Sequence, residues 1–381
     1  MMERRRIVRM HRSGEGQVLV TLVHAEGSSY REPGAHLLIG ATSAATGQSP
    51  YAGTISGGCL EAEVVRKAAW MVRDGAIVES YSTLFDDTAE IPYGLGCGGT
   101  VKLLFEPVGT PEFSAMMHAL EASLFGKPLT VITRLPDGNI PLARLVLDSD
   151  GEIVFSSQHL PDSQIVLMKD TAHSFHEASS VSLYREQLDS PQRLVVLGAG
   201  DDAKPLVSMA ALLGWSTIVV DGRSQLARPE RFPDAERVIN LAAGEIAPLN
   251  LCPSDAVVLM THSYEQDRDW LAAVLPIAPV YFGILGARHR SSLLVSEAAT
   301  KTGIPLATCC ERIYAPVGLD LGGDGPEAIA LAVIAEAHAR CMGRLGASLR
   351  LSAEDVLAQI ERGGTSRYLQ AQCALDAGAG T

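Results

Sequence analysis

Two cysteines sit in glycine clusters, a setting that suits chemistry better than packing. Cys59 closes the run Ser56-Gly57-Gly58-Cys59 and leads straight into a segment, 60–72, of helical spacing with Ala62, Val65, Ala69 and Val72 on one side. A thiol at a helix N-terminus has free N–H groups and the macrodipole beside it, and both favour thiolate. The two glycines let a ligand approach the backbone closely. A thiolate is a soft donor, matched to sulfur or transition-metal chemistry rather than to oxygen chemistry. The competing reading is a small buried hydrophobe, which is what most free cysteines are. Cys97 lies within Gly94-Leu95-Gly96-Cys97-Gly98-Gly99, four glycines around one thiol. Such a loop gives little burial at high backbone entropy, so it reads as shaped around something that must come near. Cys59 and Cys97 read as converging on one cleft; the alternative is two unrelated tight turns. A third loop, 25–34, carries Ser28, Ser29 and Arg31. It is either a plain polar turn or an anion-binding loop of hydroxyls, N–H groups and one guanidinium.

The second half carries a different constellation. Gly198-Ala199-Gly200-Asp201-Asp202-Ala203 fits G-x-G-x-x-G/A, follows an apolar run at 194–197 and opens a helical pattern that Gly214 stops. Strand character resumes at 217–220, and Asp221 stands 18 positions after Ala203, where a dinucleotide fold places its ribose-binding acid. His262 follows the segment 255–260 and is a proton-transfer candidate or a hydrogen-bonded loop histidine. In the glycine-rich stretch 283–290, Arg288 and Arg290 suit a phosphate or carboxylate, or pair with local acids. In a doubly wound sheet the strands' carboxyl ends line the ligand crevice, so 198–203, Asp221, 261–262 and 283–290 share one edge. Asp201 and Asp202 oppose ordinary NAD(P) binding, because they repel a pyrophosphate and can cap the helix that would hold it. Lys204 offsets part of this charge, and Pro205 removes an N–H near the first turn.

These residues need a scaffold, and the pattern supplies one. Strands are expected at 17–24, 35–39, 51–55 and 101–106, and a helix at 112–124. Short segments at 129–134, 143–147, 152–156, 164–169 and 181–184 read as an antiparallel meander, with turn signals at 136–138 and 148–151. Further strands fall at 237–240, 255–260 and 280–282, and helices at 270–275 and from 326 to about 340. The fold class is α/β: a Rossmann-type doubly wound parallel sheet at 191–343 behind an N-terminal α/β, mixed-sheet domain at 1–110. Residues 111–190 belong to the first domain or bridge from it, and 344–381 form a short capped helix and a frayed tail.

At 381 residues the chain exceeds one ordinary core. A hydrophobic share of 47% with 20% charged residues is globular, and the net charge of −13 excludes nucleic acid and anionic membrane as partners. The basic cluster Arg4-Arg5-Arg6 with Arg9 and Arg12 reads as the solvated face of a first helix. No apolar run reaches the ~18 residues of a membrane span. Seven scattered cysteines are not a secreted disulfide framework, show neither Cys-x-x-Cys nor zinc spacing, and fit a reducing cytoplasm.

The segments GSSYREPGAHLLI (27–39), GTISGGCLEAEV (53–64), CGGTVKLLFEP (97–107), LGAGDDAKPL (197–206), VVDGR (219–223), RFPDAERVI (231–239), THSYEQD (261–267), GILGARHR (283–290) and APVGLDLGGDGPEAIALAVIAE (315–336) together resemble the XdhC/CoxI family. Its members are accessory proteins of xanthine dehydrogenase-type molybdenum hydroxylases. The resemblance implies a chaperone rather than a turnover enzyme. It would bind molybdenum cofactor (molybdopterin), protect it during sulfuration and insert it into the apo-hydroxylase, with a cysteine desulfurase as a further partner. A cytoplasmic homodimer is implied as well. By motif match, Cys59 and Cys97 with Gly57, Gly58, Gly98 and Gly99 would handle cofactor or sulfur, and Ser28, Ser29 and Arg31 would line the same region. Gly198, Gly200, Ala203, Asp221, Arg223, Gly283, Gly286, Arg288 and Arg290 would bind cofactor from the Rossmann side. Asp201 stands where the family often has His, and Ala287 where Ser is common. The alternative function is an NAD(P)-dependent oxidoreductase with Asp221 on the ribose and His262 near the reacting carbon. A plain interaction scaffold is a third reading.

Overall fold

A computed structural model of the chain describes residues 1–27, 29–43, 46–58, 60–82, 100–171, 175–178, 181–348 and 350–361. They fall into two compact units, one of residues 3–190 with the C-terminal helix, the other of residues 191–348 with the first two residues.

The first unit opens with α1 (Met2–Arg12), which buries Ile7, Val8 and Met10 and turns Arg5, Arg6 and Arg9 outward. Then come β1 (Gly16–Glu26), β2 (His36–Gly40), β3 (Tyr51–Gly53), α2 (Glu61–Met71), β4 (Ile77–Ser82) and β5 (Thr100–Pro107). These strands form an antiparallel sheet in the order β3-β2-β1-β5-β4. Thr110 starts α3 (Pro111–Leu124): its Oγ1 accepts from Phe113 N–H at 3.0 Å, and Pro111 fills the first position. Next are β6 (Leu129–Arg134), β7 (Ala143–Leu147), β8 (Ile153–Ser156), α4 (Asp162–Asp170), β9 (Phe175–Ala178) and β10 (Val181–Leu188). They give a second antiparallel sheet, β8-β7-β6-β10-β9.

Two expectations are corrected here. The segment 164–169 is not a strand of the meander but most of helix α4. Ile165 and Met168, three apart, turn inward while Val166 and Leu167 stay exposed, a spacing that only a helix satisfies. The buried face of α2 is also not the expected one. Glu61, Val64 and Ala68 face inward, and Ala62 and Ala69 are exposed. Alanine carries little apolar signal, so the phase of this helix is set by the Glu61 carboxylate and the donors it meets.

Buried polar contacts join the two sheets. Arg144 of β7 grips Glu106 of β5 through both guanidinium ends, at 2.8 and 3.0 Å, and donates also to the Glu112 carbonyl and to Thr133 Oγ1. His36 of β2 is hydrogen-bonded to Thr21 of β1 at 3.0 Å and to Glu186 of β10 at 2.8 Å.

The second unit is a Rossmann domain. Its strands are β11 (Arg193–Leu197), β12 (Ser216–Asp221), β13 (Arg237–Asn240), β14 (Ala256–Leu259) and β15 (Tyr281–Ile284). All pair in parallel in the order β13-β12-β11-β14-β15. The helices are α5 (Ala203–Leu212), α6 (Tyr264–Val274), α7 (Arg288–Thr302), α8 (Leu306–Arg312) and α9 (Pro326–Cys341). Alternate residues of each strand feed opposite cores. Leu194, Val196 and Val258 pack under α5 and α9, whereas Val195, Leu197 and Val257 pack under α6 and α7. The last helix, α10 (Ala353–Glu361), starts with Ser352 Oγ accepting from Asp355 N–H at 3.1 Å. Among the described residues no helix is long and apolar enough to cross a membrane.

Candidate functional site

In the first unit the loop 54–58, between β3 and α2, is folded around a residue that motif reading passed over. Glu61 is 3% exposed. Its Oε1 accepts from Thr54 Oγ1 and from the N–H groups of Ile55 and Ser56, both at 2.9 Å. Its Oε2 accepts from Ser56 Oγ and, at 2.8 Å, from Gly58 N–H. Ser56 Oγ in turn accepts from Leu60 N–H at 2.8 Å. Burial, the largest influence, acts to raise the Glu61 pKa. The hydroxyls of Ser56 and Thr54 and the two backbone donors outweigh it and hold the carboxyl at about 2. Glu61 and Ser56 thus fix the backbone on both sides of position 59. The signal available in the sequence was a Ser and a Glu five residues apart across two glycines, a stretched relative of the capping box.

Gly57 and Gly58 both have the left-handed φ that glycine tolerates, +84° and +112°. A Cβ on Gly57 would lie 2.6 Å from the ring of Tyr30, which is 72% exposed, whereas among the described residues nothing lies near a Cβ on Gly58. Ser28, Cys59 and Cys97 with Gly98 and Gly99 lie outside the described residues, and so does the convergence of the two thiols. In the loop after β1, Ser29 Oγ donates to the Arg31 carbonyl at 2.8 Å. Arg31 grips both oxygens of Glu3 on α1, at 3.1 and 2.6 Å. Its guanidinium is therefore already bound to a carboxylate.

At the carboxyl edge of the parallel sheet the expected residues do come together. Gly198 has φ +124°, and a Cβ there would run into the Met260 carbonyl at the end of β14. Asp221, 1% exposed, accepts four hydrogen bonds. Arg223 N–H and Nε reach Oδ1 at 2.8 and 2.9 Å, and Ala199 N–H and Arg223 Nη2 reach Oδ2, both at 2.8 Å. Four donors saturate a carboxylate, and a ribose would have to displace one. Burial acts to raise the Asp221 pKa, but the hydrogen bonds from Arg223 and Ala199 prevail and hold it below the usual range.

Most other charges on this edge also pair within the chain. Asp201 meets Lys204 at 2.7 Å and Arg231 at 2.9 Å, and Lys204 above all draws its pKa down. Asp202 makes no side-chain cap to α5; its Oδ2 is 2.8 Å from His262 Nε2, and its Oδ1 crowds the position of a Cβ on Gly200. His262 has φ +62°, a conformation uncommon outside glycine. Arg290 donates to the fully buried Asp267 at 2.5 Å, and Thr261 Oγ1 donates to the other oxygen of that carboxylate at 2.6 Å. Asp267, a second residue the motifs did not flag, holds Arg290 as an internal partner. Arg288 is exposed at the start of α7. Gly286 has φ +145°, and Gly283 has no room for a Cβ beside Val317.

Two family models match this chain. The XdhC Rossmann domain matches residues 194–337, and the XdhC and CoxI family model matches residues 10–82. The chain belongs to the XdhC and CoxI family. A Bacillus subtilis relative, named as a probable xanthine dehydrogenase subunit, is 27% identical over 324 residues, covering 84% of this chain and 92% of its own. The Escherichia coli molybdenum cofactor insertion chaperone PaoD is 24% identical over 333 residues, 85% of this chain and 83% of its own. A crystal structure of a Bacillus halodurans protein titled a xanthine dehydrogenase superposes with a TM-score of 0.74. It is 26% identical, over 94% of this chain and all of that one. Within the XdhC/CoxI block lie Arg31, the Gly57-Gly58 turn and Glu61. The XdhC Rossmann block holds the carboxyl edge with Asp221, Asp267 and their partners.

Proposed function

We propose that this chain is an accessory chaperone of the cytoplasm. It binds molybdenum cofactor, keeps it through sulfuration and inserts it into an apo molybdenum hydroxylase of the xanthine dehydrogenase type. The observation that carries this reading is the Glu61-centred turn within the XdhC/CoxI block. It holds Gly58, next in the chain to Cys59, with no other described residue within 4 Å of a Cβ there, and lays the exposed ring of Tyr30 over Gly57. The donor set fits the group. A flat pterin can stack on an exposed tyrosine, an open glycine backbone offers close approach, and a thiol suits a dithiolene-bound metal. When bound, the cofactor supplies the metal and sulfur chemistry; the chain's own part is to hold, orient and shield it. The name of the Escherichia coli relative points the same way. The hydroxylase and a cysteine desulfurase are the partners of this reading, and a homodimer is its assembly. Against the oxidoreductase alternative stand the saturated Asp221 and the engagement of Arg290 by Asp267.

The test is co-purification from a molybdate-replete host, with molybdopterin quantified after release. The wild-type chain should carry it, and Cys59→Ala and Cys97→Ala should lose it. Unchanged loading in both variants would remove the thiols from the site, and no loading of the wild type would defeat the reading.

A further inference from the structure

Arg223 and Arg290 are held by Asp221 and Asp267, which leaves Arg288. It is the first residue of α7, and its guanidinium makes no hydrogen bond or ion pair among the described residues. It stands at one end of a groove of about 340 Å³ between α7 and α8, lined by Arg288, Ser291, Val295, Leu306, Cys310 and Ile313. Positions 288, 291 and 295 fall on one stripe of α7, and 306 and 310 on one stripe of α8, so each helix supplies a wall.

The chemistry along the groove is sorted. At the Arg288 end, Ala287 provides no side-chain cap, so the first N–H groups of α7 add to the guanidinium's field. Ser291, one turn further, is 3% exposed, and its Oγ has no hydrogen-bond partner among the described residues. Beyond it Val295, Leu306 and Ile313 form an apolar wall, with the exposed thiol of Cys310 beside them. A volume near the lower end of ligand pockets, which run from about 300 Å³, is too small for a partner helix or a dinucleotide. A bare oxyanion would leave the apolar wall uncovered.

We propose that this groove is a second small-molecule site, separate from the cofactor reading above. It takes an organic anion, a carboxylate or phosphate monoester on a compact apolar body. The anionic end lies on Arg288 and the start of α7, and the body on Val295, Leu306 and Ile313, alongside Cys310.

Cys310 is a built-in reporter. The full-length chain is treated with either of two aromatic disulfides, anionic dithiobis-nitrobenzoate or neutral dithiodipyridine. In each case the Cys310 thiolate forms a mixed disulfide and expels one aromatic thiolate; labelling at Cys310 is read by peptide mass. The ratio of the anionic to the neutral rate should fall about fivefold in Arg288→Gln, the effect of one close charge near water. Phenyl phosphate should slow labelling saturably in the wild type, and should fail to do so in Arg288→Gln and in Ser296→Phe, which fills the groove. The neutral reagent's rate in Arg288→Gln serves as the check that the groove is intact. An unchanged rate ratio, or protection that survives both substitutions, would overturn the proposal.

Discussion

Glu61→Gln isolates the contribution of one carboxylate to the loop before α2. Lowering a glutamate pKa from 4.5 to about 2 corresponds to a preference of about 3 kcal/mol for the ionised, folded arrangement. The hydrogen bonds give a similar figure. A glutamine keeps one acceptor oxygen for Thr54, Ile55 and Ser56, but sets an NH2 against Gly58 N–H, a backbone donor that cannot turn away. Loss of charge-assisted bonds together with one donor–donor clash amounts to about 2–4 kcal/mol. Because the chain has two units, a single melting curve does not isolate this loop. Hydrogen exchange of peptides covering 54–60 reads it directly, and about 3 kcal/mol corresponds to about a hundredfold faster exchange through local opening. The pH dependence has a definite sign. A depressed carboxyl pKa stabilises fully above about 4.5, and the contribution fades as pH falls towards about 2. Wild-type protection, normalised for intrinsic exchange, should therefore fall across that window while Glu61→Gln stays flat. Equal protection in the two proteins at neutral pH would refute the assignment of Glu61 as the residue that shapes this turn.

Three further outcomes follow from the same contacts. Asp221→Asn should cost the Rossmann unit about 2–3 kcal/mol, since it leaves Arg223 without its partner at a half-exposed site. The wild-type contribution should be present above the usual aspartate range and fade as pH falls through the lowered pKa, as read by exchange in peptides 193–221. Arg144→Met alone should destabilise the first unit by about 3–5 kcal/mol, and Arg144→Met with Glu106→Leu should recover most of it. A single-variant loss below about 1 kcal/mol in urea denaturation would contradict a dry ion pair between the sheets. Gly198→Ala should lose about 3 kcal/mol or more, because φ +124° and the Met260 carbonyl both oppose a Cβ. A normal melting temperature for that variant would show that the turn can relax.

Much of the architecture was legible in the sequence, and the reason is physical. Strands β11, β12 and β14 are rich in β-branched residues, and Gly198 and Gly222 follow the first two, so their places in the chain could be read. Helix α4 was not legible, because Ile-Val-Leu-Met is an apolar run that fits strand or helix until its neighbours decide. Helix α7 starts at Arg288, inside the glycine-rich stretch 283–290, where Ala287 gives no capping side chain to mark the start. Strand β4, Ile77–Ser82, reads Ile-Val-Glu-Ser-Tyr-Ser, with no strict alternation to mark it as a strand. The site was less legible than the fold. Residue types reveal side-chain donors and acceptors, yet three of the five groups on Glu61 are backbone N–H groups, which no composition displays. Asp267 was hidden in the same way, being one acid among several until the fold brought Thr261 and Arg290 to it.

The glycine fingerprint then has an explanation that needs no bound nucleotide. Gly198 is required because the end of β14 passes too close for a side chain, and Gly283 because Val317 does. Gly200 lies under the Asp202 carboxylate that His262 holds in place. A phosphate site depends on donors left free, but here Ala199 N–H serves Asp221, and the aspartates of the turn place negative charge where an anion would go. Each carboxylate on this edge has found a cation or a donor of the same chain, so a dinucleotide would have to break Asp221 from Arg223 before gaining anything. The pattern G-x-G-x-x-A records where this backbone must pass close to itself, and the chemistry of a ligand must be sought where donors and thiols remain available.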